Sequence, residues 1–306
     1  MGRLAPLFVV VALALGGLAF GCSGVRRSPE AQPPPDPSGG TASSAPPSGL
    51  AASQVPQFVV LGFDDNGTSG MPGSPTTGGI RFVVDLLAGR RNPAGGGNPQ
   101  TYDDTPARVS FYVTTRYLEE VGVDRPEYVK RALRAAVDAG HEIALHTHQH
   151  AHGSGFSSAQ WGAELVTCAD WLARPFDAGR SADPATGLGV PADVPMGFRA
   201  PFLEYGPPLF PALREHGVAY DCSVETGFEP RYDGGNLPWP YRVAPDFGGG
   251  GGSGELWELQ VYALIVPPDA ECERYGVARG LRQRLHEAHD YFEVADGKIT
   301  GFDWNL

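Results

Sequence analysis

The sequence predicts an α/β fold built on parallel strands, arranged as a sheet or a barrel. From residue 57 onward, apolar runs of strand length alternate with segments of helical period. Acidic, basic and histidine side chains that could take part in chemistry follow several of these runs. Parallel strands would bring their carboxyl ends, and these side chains with them, to one face. Once the N-terminal segments are set aside, about 250 residues remain, which is enough for one catalytic domain.

Each element is predicted by its own pattern. Strands are expected at 57–63, 108–113, 141–146, 195–199, 218–221 and 256–262. Apolar residues three and four positions apart predict helices near 80–87, 126–139, 161–172 and 277–292. Pro126 suits the first turn of the second helix, and Gly140 suits its end. The glycine-rich segments 66–105, on either side of the first helix, and 247–254 are predicted to be loops over a barrel mouth or plain surface insertions.

Composition narrows the classes of partner. The 306 residues carry a formal net charge of -12, and the acidic residues are scattered along the chain. Because no basic surface is available to neutralise phosphates, nucleic acid is not expected as a partner. No feature of the sequence indicates a protein partner.

The N-terminal residues 1–22 are typical of an export signal. Arg3 supplies a positive charge, and the apolar run 7–20 is too short for a comfortable membrane span. The run ends in L-A-F-G-C, which resembles a bacterial lipobox and predicts lipidation of Cys22. A lipobox usually has Leu where Ala19 stands, so cleavage by the ordinary signal peptidase is the alternative. Either route predicts an exported protein, and lipidation would anchor it at the cell envelope.

Residues 23–54 are rich in Pro, Ser and Gly and almost devoid of large apolar side chains. Such a segment cannot offset the entropy of ordering, so it is predicted to be a disordered tether before a catalytic domain at 55–306. Beyond the tether lie Cys168, Cys222 and Cys272, which leave the pairing of any disulfide open.

A histidine cluster follows the predicted third strand. His146, His148 and His150 fall within five residues, and neutral imidazoles are good ligands for zinc and related metals. His146 and His150 would share one ion if the chain turns helical after the strand. His146 and His148 would share it if the strand continues.

Two adjacent carboxylates, Asp64 and Asp65, follow the predicted first strand. Side chains at neighbouring positions diverge, so one carboxylate could bind a metal while the other faces a substrate water. Two buried carboxylates side by side repel each other, and a cation next to them relieves that repulsion. The alternative is an ordinary surface turn formed by the D-D-N-G segment.

Taken together, these residues resemble the polysaccharide deacetylase (NodB-homology) family, carbohydrate esterase family 4. The segment F-D-D at 63–65 resembles the family's T-F-D-D, with Gly62 in place of Thr. The segment G-H-E-I at 140–143 followed by H-T-x-x-H at 146–150 resembles the second motif. The segment F-R-A-P-F at 198–202 resembles the third motif, R-x-P-[YF]. The resemblance covers residues 55 to 262.

This resemblance implies a distorted (β/α)7 barrel and a role for each motif residue. Asp65, His146 and His150 would bind one divalent metal ion, with zinc as the expected ion. Asp64 would be the general base, and Arg199 would hold it by an ion pair. The backbone N–H of Phe202 would stabilise the oxyanion.

Three features depart from the family pattern. Gly62 replaces Thr, and Phe202 replaces the more usual Tyr. The late L-x-H motif that supplies the family's general acid is absent, and neither His286 nor His289 is favoured as its replacement. We therefore expect either a chain that is incomplete at its C-terminus, with its first strand lacking a neighbour, or a divergent branch.

The resemblance implies removal of acetyl groups from an N- or O-acetylated polysaccharide at the bacterial cell envelope. One alternative is a catalytically silent glycan-binding lipoprotein that keeps the metal for structure. Another is an amidase of the same fold that acts on small C–N substrates. The sequence does not distinguish peptidoglycan, chitin-like polymers, exopolysaccharide or acetylated xylan as the substrate.

Overall fold

A computed structural model describes residues 9–14, 36–46, 49–51, 59–95, 103–194, 196–227, 238–249, 254–265, 269–270, 279, 294–295 and 298–299. Cys22, Cys272, His286 and His289 lie outside the described residues, as does the predicted helix 277–292 apart from position 279. The predicted tether 23–54 is described only in part, so its disorder stays a prediction.

The described residues form twelve strands and four α-helices. The strands are β1 Val9–Ala14, β2 Val59–Asp64, β3 Ser110–Val113, β4 Glu142–Leu145, β5 Gly197–Phe198, β6 Tyr220–Asp221, β7 Glu225–Gly227, β8 Tyr241–Arg242, β9 Trp257–Glu258, β10 Val261–Ile265, β11 Val294–Ala295 and β12 Lys298–Ile299. The helices are α1 Gly79–Leu87, α2 Pro126–Asp138, α3 Ser158–Ala173 and α4 Leu209–Glu215.

The main sheet confirms the predicted α/β fold. Its eight strands run in the order β1-β2-β3-β4-β5-β6-β9-β8 and curl into a half-barrel consistent with a distorted NodB-type barrel. All neighbours are parallel except β8, which pairs antiparallel with β9. Because the strands are parallel, the carboxyl ends of β2, β4, β5 and β6 face the same side.

The helices begin and end at the residues that helix chemistry favours. Pro126 occupies the first turn of α2, and Gly140 follows that helix with φ 80°. Ser157 and Gln160 form a reciprocal capping box at the start of α3. Helix α4 was not predicted, because it has only seven residues and follows two prolines.

Two expectations about strands were wrong. The predicted strand 256–262 is two strands, since β9 pairs with β6 in the main sheet and β10 pairs with β7 and β12 in a second sheet. The first strand of the domain, β2, was expected to lack a neighbour. Instead β1 pairs parallel with it over six positions, from Val9 opposite Val59 to Ala14 opposite Asp64.

Strand β1 lies within the predicted export signal. Its sequence, V-V-V-A-L-A, is rich in β-branched residues, which favour strands, and it fills an edge that would otherwise be open. Among the described residues, no helix has the length and apolar character needed to cross a membrane. The signal peptide stays a prediction, and cleavage after it would remove β1 from the sheet.

A continuous apolar core joins the sheet to the helices. Its largest members include Trp161 of α3, Phe111 of β3, Phe198 of β5 and Phe210 of α4, all of them fully buried. The Trp161 ring packs edge-on against Phe198 with a centroid distance of 5.9 Å. This core packs against β4 and β5, which directly precede His146 and Arg199.

Gly62 of β2 leaves space that the interior of the half-barrel requires. A Cβ at this position would lie 2.7 Å from Tyr112 Cε2 and 3.2 Å from both terminal nitrogens of Arg199. The Arg199 guanidinium stacks on the Tyr112 ring, with Cζ 4.1 Å from the ring centroid. The stack therefore explains why Gly replaces the Thr of the family motif.

We predict that Gly62→Ala destabilises the protein by about 1–3 kcal/mol, because the added methyl group overpacks the stack. Gly89→Ala is the matched control, since nothing lies within 4 Å of a Cβ at position 89. Both substitutions replace a glycine, which lowers the conformational entropy of the unfolded chain and stabilises the protein by about 0.4–1 kcal/mol. Urea unfolding of both variants measures the difference, and equal stability of the two would refute the packing explanation.

Candidate functional site

Three residues of the types that bind metal ions lie close together at the carboxyl ends of the strands. Asp65 directly follows β2, and His146 directly follows β4, with His150 four residues later. One ligand atom from each of the three lies within 4.8 Å of the others. Asp65 Oδ1 is 2.8 Å from His150 Nε2 and 3.5 Å from His146 Nε2. The structure thus contains a possible three-residue metal site.

Unusual backbone angles bring these residues together. Asp65, Thr147 and His150 have φ values of 63°, 64° and 54°, in the left-handed region that residues other than glycine seldom adopt. The Thr147 hydroxyl accepts a hydrogen bond from the His150 N–H at 3.1 Å, which closes the turn. His150 therefore reaches His146 through a tight turn, and not through the helix that was expected there.

His148 lies outside this cluster. Its Nδ1 is 3.1 Å from Thr115 Oγ1, and its Nε2 is 3.3 Å from Glu119 Oε2. Its ring is nearly parallel to that of Trp171, with an interplanar angle of 5°. The arrangement that pairs His146 with His148 is therefore not the one the structure contains, and His148 serves packing.

The donor set fits a cation. The Arg199 carbonyl can only accept a hydrogen bond, so His146 Nδ1, 2.7 Å away, is the donor of that pair. In a neutral imidazole this leaves a lone pair on Nε2, directed towards Asp65. Asp65 Oδ1 is buried and accepts no well-aligned hydrogen bond from a described residue. A divalent ion would satisfy both lone-pair atoms.

The electrostatics of the cluster favour positive charge. Burial alone would raise the pKa of Asp65, but its close contacts and charge interactions with His146 and His150 outweigh burial and lower that pKa. Burial would lower the pKa of His146, yet the carboxylates of Asp65 and Asp64 raise it overall. The site therefore stabilises a cation, whether a proton or a metal ion.

Asp64 pairs with Arg199 and is not one of the three ligand residues. Arg199 Nη1 lies 2.5 Å from Asp64 Oδ1, and the Arg199 side chain is fully buried. Arg199 also donates from Nε to the Cys222 carbonyl at 3.1 Å and from Nη2 to Cys222 Sγ at 3.0 Å. The two adjacent carboxylates thus have different partners, as the sequence predicts.

Phe202 lies beside the ligand set. Its φ of 57° places the residue in the left-handed region, and its ring is 4.5 Å from that of His150. No described residue accepts a hydrogen bond from its backbone N–H. This N–H is consequently available for a substrate oxygen.

A buried polar network behind Arg199 was not predicted as a unit. The Ala200 N–H donates to Ser223 Oγ at 2.8 Å, and that hydroxyl donates to Asp221 Oδ1 at 2.6 Å. Burial raises the pKa of Asp221 to about 6, and burial with the charge of Asp221 raises the pKa of Glu258 well above its usual value. The raised pKa of Glu258 follows from its burial against a second carboxylate, Asp221.

Tyr117 is a further site residue that sequence reasoning missed. Burial and the negative charge of Asp65 raise its pKa to about 12, so it stays a neutral phenol next to the ligand set. Its ring also packs where a Cβ on Gly67 or Gly122 would lie. Its place four residues after β3, another strand that ends on this face, was the available signal.

Comparison with protein families finds a match over part of the chain. The model of the polysaccharide deacetylase family matches residues 100–181, which include the histidine cluster. The resemblance to this family is thereby confirmed. A search of curated proteins found no match.

Several solved structures are similar to this chain. A putative polysaccharide deacetylase from Mycobacterium smegmatis is 22% identical with a TM-score of 0.36, over 60% of this chain and 44% of that protein. A family 4 carbohydrate esterase from Streptomyces lividans, in complex with acetate, is 19% identical with a TM-score of 0.32, over 55% and 64% of the two chains. The Streptococcus pyogenes deacetylase PplD, in complex with acetate, is 14% identical with a TM-score of 0.36, over 69% and 66%.

This chain therefore spans less than half of the Mycobacterium smegmatis protein that it matches. All three TM-scores lie below 0.5. The geometry of the site and the family match consequently carry the functional assignment.

We predict that Asp65→Ala, His146→Ala and His150→Ala each weaken zinc affinity by more than about tenfold, because each removes one of three ligands. Equilibrium dialysis followed by elemental analysis measures the bound metal. His148→Ala is the control, because this imidazole contacts Thr115, Glu119 and Trp171 and not the ligand set. Loss of metal in His148→Ala with retention in His150→Ala would contradict the assignment.

Proposed function

We propose that this chain is a metal-dependent polysaccharide deacetylase, which hydrolyses acetyl groups from an acetylated glycan. The observation that carries the proposal is the division of the two adjacent carboxylates, with Asp65 facing two imidazoles and Asp64 held by buried Arg199. A metal-binding protein without catalysis would need only Asp65 and the two imidazoles. Asp64, held by Arg199, supplies a positioned base.

Asp65, His146 and His150 would hold the metal, for which zinc suits the two imidazoles and one carboxylate. When bound, the cation supplies Lewis-acid chemistry, by drawing electrons from an acyl oxygen and making water more acidic. His146 is oriented for binding by the Arg199 carbonyl, and Thr147 fixes the turn that positions His150.

Asp64 is the general base in this proposal. Its ion pair with Arg199 engages Oδ1, which orients the carboxylate and keeps it from rotating towards the neighbouring cluster. The other oxygen can then accept a proton from the attacking water. General bases of this kind typically contribute about 10²- to 10⁴-fold to the rate.

The Phe202 N–H would stabilise the oxyanion that forms when water adds to the acetyl carbonyl. Its left-handed backbone directs a donor that no described residue uses. Collapse of the intermediate breaks the bond to the acetyl group, and the proton that Asp64 took from water passes to the leaving nitrogen or oxygen, which gives acetate and a free amine or hydroxyl. A backbone donor does not depend on the side chain, so Phe serves here as well as Tyr.

We predict that Asp64→Asn and Asp65→Asn, which are isosteric changes at adjacent positions, have different effects. Asp64→Asn should keep near-normal metal content and lower kcat by about two to four orders of magnitude. Asp65→Asn should lose metal and activity together. Acetate released from acetylated chito-oligosaccharides, measured alongside metal content, tests both variants.

Equal metal loss in the two variants would show that their roles are not divided. A wild-type protein that binds metal and oligosaccharide but releases no acetate would favour the glycan-binding alternative. Turnover confined to small amides would favour the amidase alternative.

We also propose that the protein is exported and held at the cell envelope by a lipid on Cys22. The apolar run 7–20 that ends in Gly21 and Cys22 supports this. The mature protein should partition into detergent, and Cys22→Ala should release it or block its processing. Wild-type protein that stays entirely in the aqueous phase, with an N-terminus beyond residue 22, would contradict the anchor but not export.

A further inference from the structure

An exposed aromatic stack adjoins the ligand set. The rings of Phe202 and His152 are parallel to within 10°, with centroids 4.1 Å apart. Phe202 is 44% exposed, and the His152 side chain is 67% exposed. Large exposed apolar side chains beside a catalytic cleft are typical of ligand contacts. Neither ring is needed to fill the core.

The stack is held in place by the protein. His152 Nδ1 lies 3.0 Å from Glu204 Oε2, so a carboxylate fixes the plane of the imidazole. The two loops that carry the rings also pack closely, because a Cβ on Gly153 would lie 3.0 Å from the Glu204 carbonyl and 2.2 Å from the Trp161 ring. The rings are therefore ordered before any ligand arrives, which lowers the entropic cost of binding.

The position of the stack relates it to the chemistry. The Phe202 ring contacts the His150 ring at 4.5 Å, with a tilt of 62°. One end of the stack thus adjoins a predicted metal ligand, and the other end, His152, extends into solvent. A molecule lying along the stack would have one unit at the reacting centre and a neighbouring unit against the rings.

We propose that Phe202 and His152 form a platform that binds a pyranose ring of the glycan chain next to the unit being deacetylated. This inference rests on the proposed function, since it names the substrate class of that same site. A pyranose with equatorial hydroxyl groups presents axial C–H groups on its faces. These carry partial positive charge and pack on the electron-rich face of an aromatic ring.

The negative charge near the Phe202–His152 stack favours some glycans over others. Glu204, which is held at the edge of the stack, can accept hydrogen bonds from sugar hydroxyl groups. The whole chain carries a formal charge of -12, so a polymer of uronic acids would be repelled. The platform therefore suits a neutral or partly deacetylated glycan, and not an acidic one.

Calorimetric titration with the β-1,4-linked tetramer of N-acetylglucosamine tests the platform, in an Asp64→Asn background that prevents turnover. We expect Phe202→Ala and His152→Ala each to raise Kd by about tenfold. Phe202→Tyr and His152→Phe keep a ring and should retain most of the affinity. Phe82→Ala is the matched control, because Phe82 of α1 is 48% exposed and lies outside this stack. Metal content and circular dichroism verify that each variant is folded.

Unchanged affinity in both Phe202→Ala and His152→Ala would overturn the platform, as would equal affinity for an oligomer of uronic acids. Failure to bind the tetramer, with acetate still released from a small acetyl ester, would overturn the platform and leave the proposed function standing. Ring-dependent binding of the tetramer without acetate release from any acetylated glycan would support the platform and contradict the deacetylase proposal.

Discussion

The ion pair between buried Arg199 and Asp64 is the interaction on which the rest of the site depends. A fully buried guanidinium needs partners on all sides, and removing one partner of such a pair typically costs about 3–5 kcal/mol. Arg199 bonds Asp64 at the end of β2 and the Cys222 carbonyl and thiol after β6. Its own carbonyl accepts from His146 after β4. One residue thus aligns the proposed base with a proposed metal ligand.

The packing around Arg199 explains why a glycine stands at position 62 and why residues with positive φ are concentrated near the site. Gly62 interrupts the family motif because Tyr112 and the guanidinium occupy the space of a side chain. Of the seven described residues other than glycine with positive φ, six lie around the site, and Asp104 alone lies elsewhere. Left-handed conformations cost roughly 1–2 kcal/mol each. Their concentration here indicates that the fold stabilises strained turns in order to position functional groups.

The sequence predicted what depends on local pattern and on strand ends. Apolar periodicity located α1, α2 and α3, and the strand-end rule brought Asp65, His146 and Arg199 to one face. The sequence pattern did not separate β9 from β10, because both lie in one apolar run. Only their pairing with different sheets divides them. Glu258 was missed for a related reason. Its carboxyl lies against Asp221 of a strand that is distant in sequence, and an alternating strand pattern does not predict such a contact.

The most direct test of the central claim is the coordination of zinc in the loaded protein, determined from anomalous scattering in crystals and X-ray absorption of the same sample. We predict one zinc ion bound by Nε2 of His146, Nε2 of His150 and a carboxylate oxygen of Asp65. Asp64 should remain paired with Arg199 and should not coordinate the ion. Coordination by Asp64 or by His148, or zinc bound outside this cluster, would contradict the account.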